Sequence, residues 1–248
     1  MRVKVLGRQA PYCKYGYNGP GYLVTTSNNK NILLDCGSGS TRMMTFPQDL
    51  QNLTVVVSHR HGANWGDLSP LMSAFYTYYE VYKALDNKIR VYIPSDMNHV
   101  VRMERLHWCE FVNIYPDMEV SIDGAKMKFC KTIHADNVDS YAVKIQDGDK
   151  SLVYTGDISF ESKEKIVELA RHSNLLISES TLLESYNIPE YNVHITAKQA
   201  ARIAFEAEVD KLLLTHFRCE EDLDSYAPEA RKVFTNTLAA IEGLNLRI

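Results

Sequence analysis

Short apolar runs at residues 3–6, 22–25, 32–35 and 53–58 are separated by the turn formers Asn18-Gly19-Pro20-Gly21 and Ser27-Asn28-Asn29, and predict strands joined by tight loops. The period then changes. Leu71, Phe75, Tyr78, Tyr79, Val81 and Tyr82 recur at helical spacing and predict an amphipathic helix over 68–85, laid on a sheet. A strand at 90–93 and a helical stretch around 98–106 precede a second strand-rich block at 111–115, 119–122, 126–133, 141–145 and 151–154. From there helices alternate with strands: helix 161–172, strand 175–178, helix 197–208, strand 211–215, a last helix near 228–242 and a closing strand at 244–248. Thr196 and Gln199 have the spacing of a capping box at the start of the helix at 197. This order gives an α/β (α+β layered) protein with mixed sheets, and its two halves repeat a similar sequence of elements.

Composition narrows the picture without changing it. The chain has 248 residues, 45% of them hydrophobic and 23% charged, which suits a folded domain and excludes disordered and collagen-like classes. No linker divides it, so residues 1–248 are expected to form one domain. With 27 Lys and Arg against 31 Asp and Glu the net charge is −4, too negative for a general attraction to nucleic acid or anionic membranes. Any polyanion site must be a local pocket. Cys13, Cys36, Cys109, Cys130 and Cys219 are scattered, without a CxxC, and read as reduced thiols rather than a disulfide framework. With no apolar leader and no run approaching the ~20 residues of a membrane span, the reading is a cytoplasmic protein with no membrane partner.

The histidines carry the chemistry. His59, His61, His134 and His216 each fall just past a predicted strand, as does Asp157 in Tyr154-Thr155-Gly156-Asp157. Layered α/β folds bring strand ends together, so these imidazoles and the carboxylate are candidates for one metal cluster, with His59-x-His61 turning two rings from one loop. Neutral imidazole and carboxylate suit zinc, iron or manganese. His99, His107 and His172 lie on or beside predicted helices and read as scattered surface or core residues. Tyr12, Tyr15, Tyr17 and Tyr22 cluster near a Gly-rich turn, where loop packing is a better account than a binding groove.

Asp35-Cys36-Gly37-Ser38-Gly39, Ser58-His59-Arg60-His61, Gly66-Asp67-Leu68, His134, Tyr154-Thr155-Gly156-Asp157, Leu176-Ile177-Ser178-Glu179-Ser180 and Leu214-Thr215-His216-Phe217 stand in the order and spacing of the metallo-β-lactamase-fold hydrolases. The chain resembles that superfamily over nearly its whole length. Within it the chain is most similar to the ribonuclease Z-type branch, through Glu179 and through His194-Ile195-Thr196-Ala197, which resembles that branch's His-Ser-Thr loop. The resemblance implies an αββα sandwich of two mixed sheets flanked by helices, metal in the groove between them, and hydrolysis by a metal-bound hydroxide. By position, His59, His61 and His134 would hold a first metal, Asp157 would bridge, and His216 would serve a second. Glu179 and His194 resemble the carboxylate–imidazole pair that passes a proton to the leaving group. Asp35 and Asp67 fit supporting carboxylates that position ligands.

One departure matters. The family's His-x-His-x-Asp-His reads His59-Arg60-His61-Gly62-Ala63-Asn64 here, so the second metal's carboxylate is alanine and its histidine asparagine. The expectation is therefore one well-bound ion rather than two, zinc by preference with manganese or iron as alternatives. The leading functional reading is a metal-dependent hydrolase acting on ester bonds, phosphodiesters first. Its substrate would be a small-molecule or nucleotide-like phosphodiester. The alternative is a catalytically weak or inactive relative that binds a metal or ligand. Extended nucleic-acid binding is disfavoured because no basic, Gly-rich arm is present. A homodimer is compatible with either reading.

Overall fold

The computed structural model describes residues 1–99, 106–185 and 192–248. Its strands are β1 (Arg2–Gly7), β2 (Gly21–Thr25), β3 (Asn31–Leu34), β4 (Leu53–Val56), β5 (Ile89–Pro94), β6 (Cys109–Ile114), β7 (Glu119–Ile122), β8 (Ala125–Thr132), β9 (Ser140–Asp147), β10 (Lys150–Tyr154), β11 (Leu175–Glu179), β12 (Leu212–Thr215), β13 (Thr237–Ala239) and β14 (Asn245–Arg247). The helices are α1 (Leu68–Tyr76), α2 (Lys163–Ala170), α3 (Ala197–Glu206) and α4 (Tyr226–Arg231). Two seven-stranded sheets result, in the orders β14-β1-β2-β3-β4-β5-β6 and β13-β12-β11-β10-β9-β8-β7. Both follow one plan, as the repeated element order implies. An antiparallel meander (β1-β2-β3, then β7-β8-β9-β10) leads into parallel strands (β3-β4-β5-β6, then β10-β11-β12-β13).

The central strands are apolar on both faces, because each face meets a different layer. In β2 and β3, Tyr22, Val24, Ile32 and Leu34 face the core between the sheets. Leu23 and Leu33 point the other way and pack with Leu71, Met72 and Phe75 of α1. Ile166 and Leu169 of α2 and Ala200, Ile203 and Ala204 of α3 join the core of the second sheet. Helices thus cover the sheets on opposite sides, giving the αββα order. Thr196 caps α3 by accepting from Gln199 N–H while the Gln199 side chain accepts from Thr196 N–H, the capping box its sequence predicts.

Three elements differ from the sequence expectation. The helix over 68–85 ends early: α1 stops at Tyr76 and a π-helical turn spans Thr77–Val81, leaving Val81 and Tyr82 exposed. Lys83 takes a left-handed φ of 51° and Ala84 N–H bonds back to Tyr78 O, which closes the turn. The expected helix 228–242 is only α4, after which β13 pairs in parallel with β12 through Leu212↔Thr237 and Leu214↔Ala239. The open edge of β12 wins there over helical periodicity, since the β-branched Thr237 gains a ladder partner. The helix expected around 98–106 falls mostly on residues 100–105, outside the described residues.

Candidate metal centre

The parallel strands of both sheets run toward one edge, and their ends deliver the site. His59 and His61 follow β4, His134 follows β8, Asp157 follows β10, Glu179 ends β11, and His216 follows β12. His194 arrives on the loop ahead of the α3 cap. The turn into Asp157 requires Gly156, whose φ is +59° and where an added Cβ would sit 2.8 Å from that of Ser58. His216 itself holds a left-handed φ of 61°, a strained conformation for a residue with a side chain and one often kept where a site requires it.

All the sequence-predicted site residues converge. The rings of His59, His61 and His134 form a triangle with centroids 4.7–4.9 Å apart. His134 Nε2 lies 3.1 Å from His61 Nδ1, while Asp157 Oδ2 lies 3.4 Å from His59 Nε2 and 3.9 Å from His134 Nε2. Two donors each about 2.1 Å from a tetrahedral zinc stand about 3.4 Å apart, so these spacings suit a shared ion. His216 Nε2 is 2.9 Å from the same Asp157 oxygen, although the angle is not that of a hydrogen bond. His59 Nε2, His216 Nε2 and Asp157 Oδ1 are buried polar atoms without a hydrogen-bond partner. Orphaned polar atoms are uncommon in a core, and here they are inward-facing donor atoms of the kind a cation satisfies.

The outer nitrogens are anchored. His59 Nδ1 contacts Ser58 Oγ at 3.0 Å, and Ser58 Oγ donates to Asp35 at 2.8 Å, so the chain of donors makes His59 Nδ1 the protonated nitrogen. His134 Nδ1 meets Val193 O at 2.7 Å, and His216 Nδ1 meets Thr181 Oγ1 at 2.8 Å. These contacts turn the Nε2 atoms of all three rings inward, the support a metal ligand requires. Asp35 is a hub, also accepting from Ser58 N–H, from Asn64 Nδ2 at 2.8 Å and from the Tyr154 hydroxyl at 2.6 Å. Complete burial pushes its carboxyl up to about 6 even against those hydrogen bonds. Asp67 accepts from the Thr41 N–H and hydroxyl, and so braces that loop rather than a histidine of the cluster.

Electrostatics divide the site. Burial lowers His59 to about 3, which keeps it neutral and able to ligate. Burial also opposes charge on His194, but the Glu179 carboxylate 2.9 Å from its Nδ1 outweighs that and raises the imidazole to about 9. Asp157 is held well below the usual carboxylate range: burial works against the charge, and the His216 and His59 rings around it prevail. Glu179 is completely buried and also accepts from Ile158 N–H and the Thr181 hydroxyl.

Thr181 went unrecognised in the sequence, although it touches Glu179, His194 and His216 together. A hydroxyl two residues past a buried strand-end glutamate was the available signal. Val193 acts through its carbonyl, which residue identity does not reveal. Of the tyrosines, Tyr22 is buried on β2 and Tyr12, Tyr15 and Tyr17 are exposed. His99, His107 and His172 are also exposed and stand apart from the cluster.

The family model for the beta-lactamase superfamily domain matches residues 30–217, and the chain belongs to that superfamily. Among curated relatives it is 28% identical to the probable metallo-hydrolase YhfI of Bacillus subtilis over 236 residues, 94% of each chain. It is 24% identical to ribonuclease Z of Archaeoglobus fulgidus across 100% of this chain and 98% of that one. The crystal structure of Bacillus subtilis YhfI superposes with a TM-score of 0.86 at 26% identity, covering 99% of both chains. Human tRNase Z, short form, shares the fold with a TM-score of 0.75 at 17% identity, covering 100% of this chain and 99% of that one.

Proposed function

We propose that the protein is a metal-dependent hydrolase of small phosphodiesters that works with one well-held divalent ion, zinc by preference. The observation that carries this reading is the group His59, His61, His134 and Asp157, whose ligand atoms lie within 4.8 Å of one another. A bound ion there would supply Lewis-acid polarisation and acidified water. The chain supplies the rest. Asp35 and Ser58 fix the ring of His59, and Val193 O fixes that of His134. His194, held as a cation by Glu179, borders the same cavity as His61, His134 and Asp157, where it can give a proton to the oxygen leaving phosphorus. Glu179 and Thr181 both engage His194 Nδ1, so the proton given would be the one on Nε2.

That cavity encloses about 410 Å³ and is rimmed by Pro11, Gly62, Ala63 and Ala135, a size suited to a nucleotide-like or smaller ester. The net charge of −4 supplies no broad basic track for a long nucleic acid. No described helix is long and apolar enough to cross a membrane, and we place the protein in the cytoplasm. A second reading, a relative that binds without cleaving, is favoured by Ala63 and Asn64, which leave the far side of Asp157 without the family's ligands. The deciding experiment measures metal content in protein purified without added metal, beside turnover of bis-p-nitrophenyl phosphate. One ion per chain with metal-dependent turnover is expected. One ion without turnover selects the non-catalytic reading, and protein that takes up no metal refutes both.

A further inference from the structure

A cavity of about 500 Å³ lies outside the metal centre and shares no lining residue with the cavity of His61 and His134. Arg8 forms part of its wall and is only 8% exposed. The Arg8 Nη1 donates to Ala240 O at 2.6 Å and the guanidinium stacks over Tyr17, 4.8 Å from the ring centroid, but the buried Nε has no hydrogen-bond partner. Among the described residues no carboxylate pairs with it. Yet Glu221, Asp222 and Asp224 line the same cavity. A buried guanidinium and carboxylates that share a cavity without pairing leave opposite charges standing apart, an arrangement that a molecule carrying both charges neutralises.

We propose that this cavity binds an α-amino acid with an apolar side chain, its carboxylate on Arg8 and its ammonium group on Glu221 and Asp224. The planar fork of arginine matches a carboxylate, and Tyr17 holds that fork in place. Gln9 supplies a second donor: its Oε1 accepts from Lys14 N–H at 3.0 Å, which leaves Nε2 for the carboxylate. Asp222 is already engaged, accepting from Asp224 N–H and the Ser225 hydroxyl, so the ammonium falls to its two neighbours. Leu223 and Ile241 add apolar wall, and Ile241 is 59% exposed, a surface that an apolar side chain would cover. Other ligand classes fit less well. A phosphate dianion would face three carboxylates with one guanidinium, and a simple amine would leave Arg8 unpaired. The volume suits a molecule of this size with room for water.

The test is a calorimetric titration of the full chain with L-leucine at neutral pH, beside N-acetyl-L-leucine, which lacks the cation, and L-leucinamide, which lacks the anion. Leucine should bind with a Kd of about 1 mM or tighter. Each analogue should bind about tenfold or more weakly, having lost one charge-assisted contact. Arg8→Met, which keeps the aliphatic stem, should erase the preference for leucine over leucinamide. Glu221→Gln together with Asp224→Asn should erase the preference over N-acetyl-leucine. Either analogue binding as tightly as leucine overturns the inference, and so does leucine that fails to bind at about 20 mM. Leucine held instead by an ion at the histidine cluster would bind Arg8→Met as tightly as the parent, which also overturns it. Where Arg8→Met fails to fold, the surface pair decides: leucine affinity about tenfold lower in Glu221→Gln with Asp224→Asn sustains the site, and unchanged affinity refutes it. No readout here uses turnover, so this inference and the hydrolase reading fail separately.

Discussion

The two sides of Asp157 are made from the same residue types and are electrostatically opposite. On one side three imidazoles press together, and burial keeps His59 neutral down to about 3. On the other, His194 stands over a buried glutamate that raises it to about 9, beside a loop where alanine and asparagine occupy positions 63 and 64. The first side is already in the protonation state a metal requires. The second keeps its imidazole charged through neutral pH, the state a proton donor requires. Ligand type alone therefore does not decide what a cluster does. The partner behind each ring does, whether a serine and a backbone carbonyl on one side or a carboxylate on the other.

The comparison depends on Asp157, and its removal has the largest expected effect. Asp157→Asn should abolish the tight ion, lower turnover by about a thousandfold and erase the stabilisation that metal confers, which at a hundredfold excess over Kd is about 2.7 kcal/mol. Metal content and the shift in Tm on adding zinc measure both. A variant that keeps one ion and its Tm response would show that the two sides are not joined through this carboxylate.

The pH dependence of stability separates the sides next. In chelator-stripped protein, His59 is depressed from an unfolded value near 6.5 to about 3, so the unfolded chain binds the extra proton between those values. Its contribution is present above about 6.5 and is lost as pH falls. His194 is raised to about 9, so its contribution is complete below about 6.5 and is lost as pH rises through 9. The first amounts to about 5 kcal/mol and the second to about 3 kcal/mol. Denaturant unfolding should give a maximum near neutrality with an alkaline limb, and His194→Gln should flatten that limb alone. An alkaline limb unchanged in the variant would mean that the His194–Glu179 pair does not control it.

Much of this contrast was legible in the sequence, and the reason is topological. Parallel strands ending at one edge convert strand-end histidines into neighbours, so His59, His61, His134, Asp157 and His216 could be grouped from spacing and family resemblance. Asp35 was also recognisable, as the acidic residue closing an apolar strand. What escaped were contacts made by groups without chemical distinctiveness, the Val193 carbonyl and the Thr181 hydroxyl. At the C-terminal end, β13 was read as helix because its pairing depends on an open strand edge more than on its own pattern. The same blindness hid the role of Asn64, which reads in the sequence only as a lost ligand.

Asp35→Asn tests the frame behind the first side. The amide keeps the volume but replaces one acceptor oxygen with a donor facing the Ser58, Asn64 and Tyr154 donors, at a cost of about 2 kcal/mol. Thermal unfolding should show the loss, and zinc affinity at the His59 side should fall with it because Ser58 no longer orients the ring. A drop in stability with unchanged affinity would assign Asp35 to the fold alone.

The smallest expected effect on stability, and the sharpest on the comparison, comes from restoring the family pair one residue at a time. Ala63 borders the cavity, whereas Asn64 is fully buried and donates from Nδ2 to Asp35 at 2.8 Å. The two positions therefore differ, although the sequence presents them as one eroded pair. Ala63→Asp adds a carboxylate at a cavity wall shared with His216 and Asp157, so it should leave Tm within a degree or two of the parent and add a weak second zinc-binding event. Asn64→His removes a buried donor from Asp35 and places a larger ring in a filled space, costing about 1 kcal/mol unless its Nδ1–H takes over the donated bond. The two substitutions together should rebuild a two-ion site and raise phosphodiester turnover. Calorimetry on the two single variants and the double variant separates these contributions. If Asn64→His alone gave most of the gain in zinc affinity and Ala63→Asp none, the asymmetry would lie in the missing imidazole rather than the missing charge. The contrast between a neutral side and a charged side would then have to be redrawn.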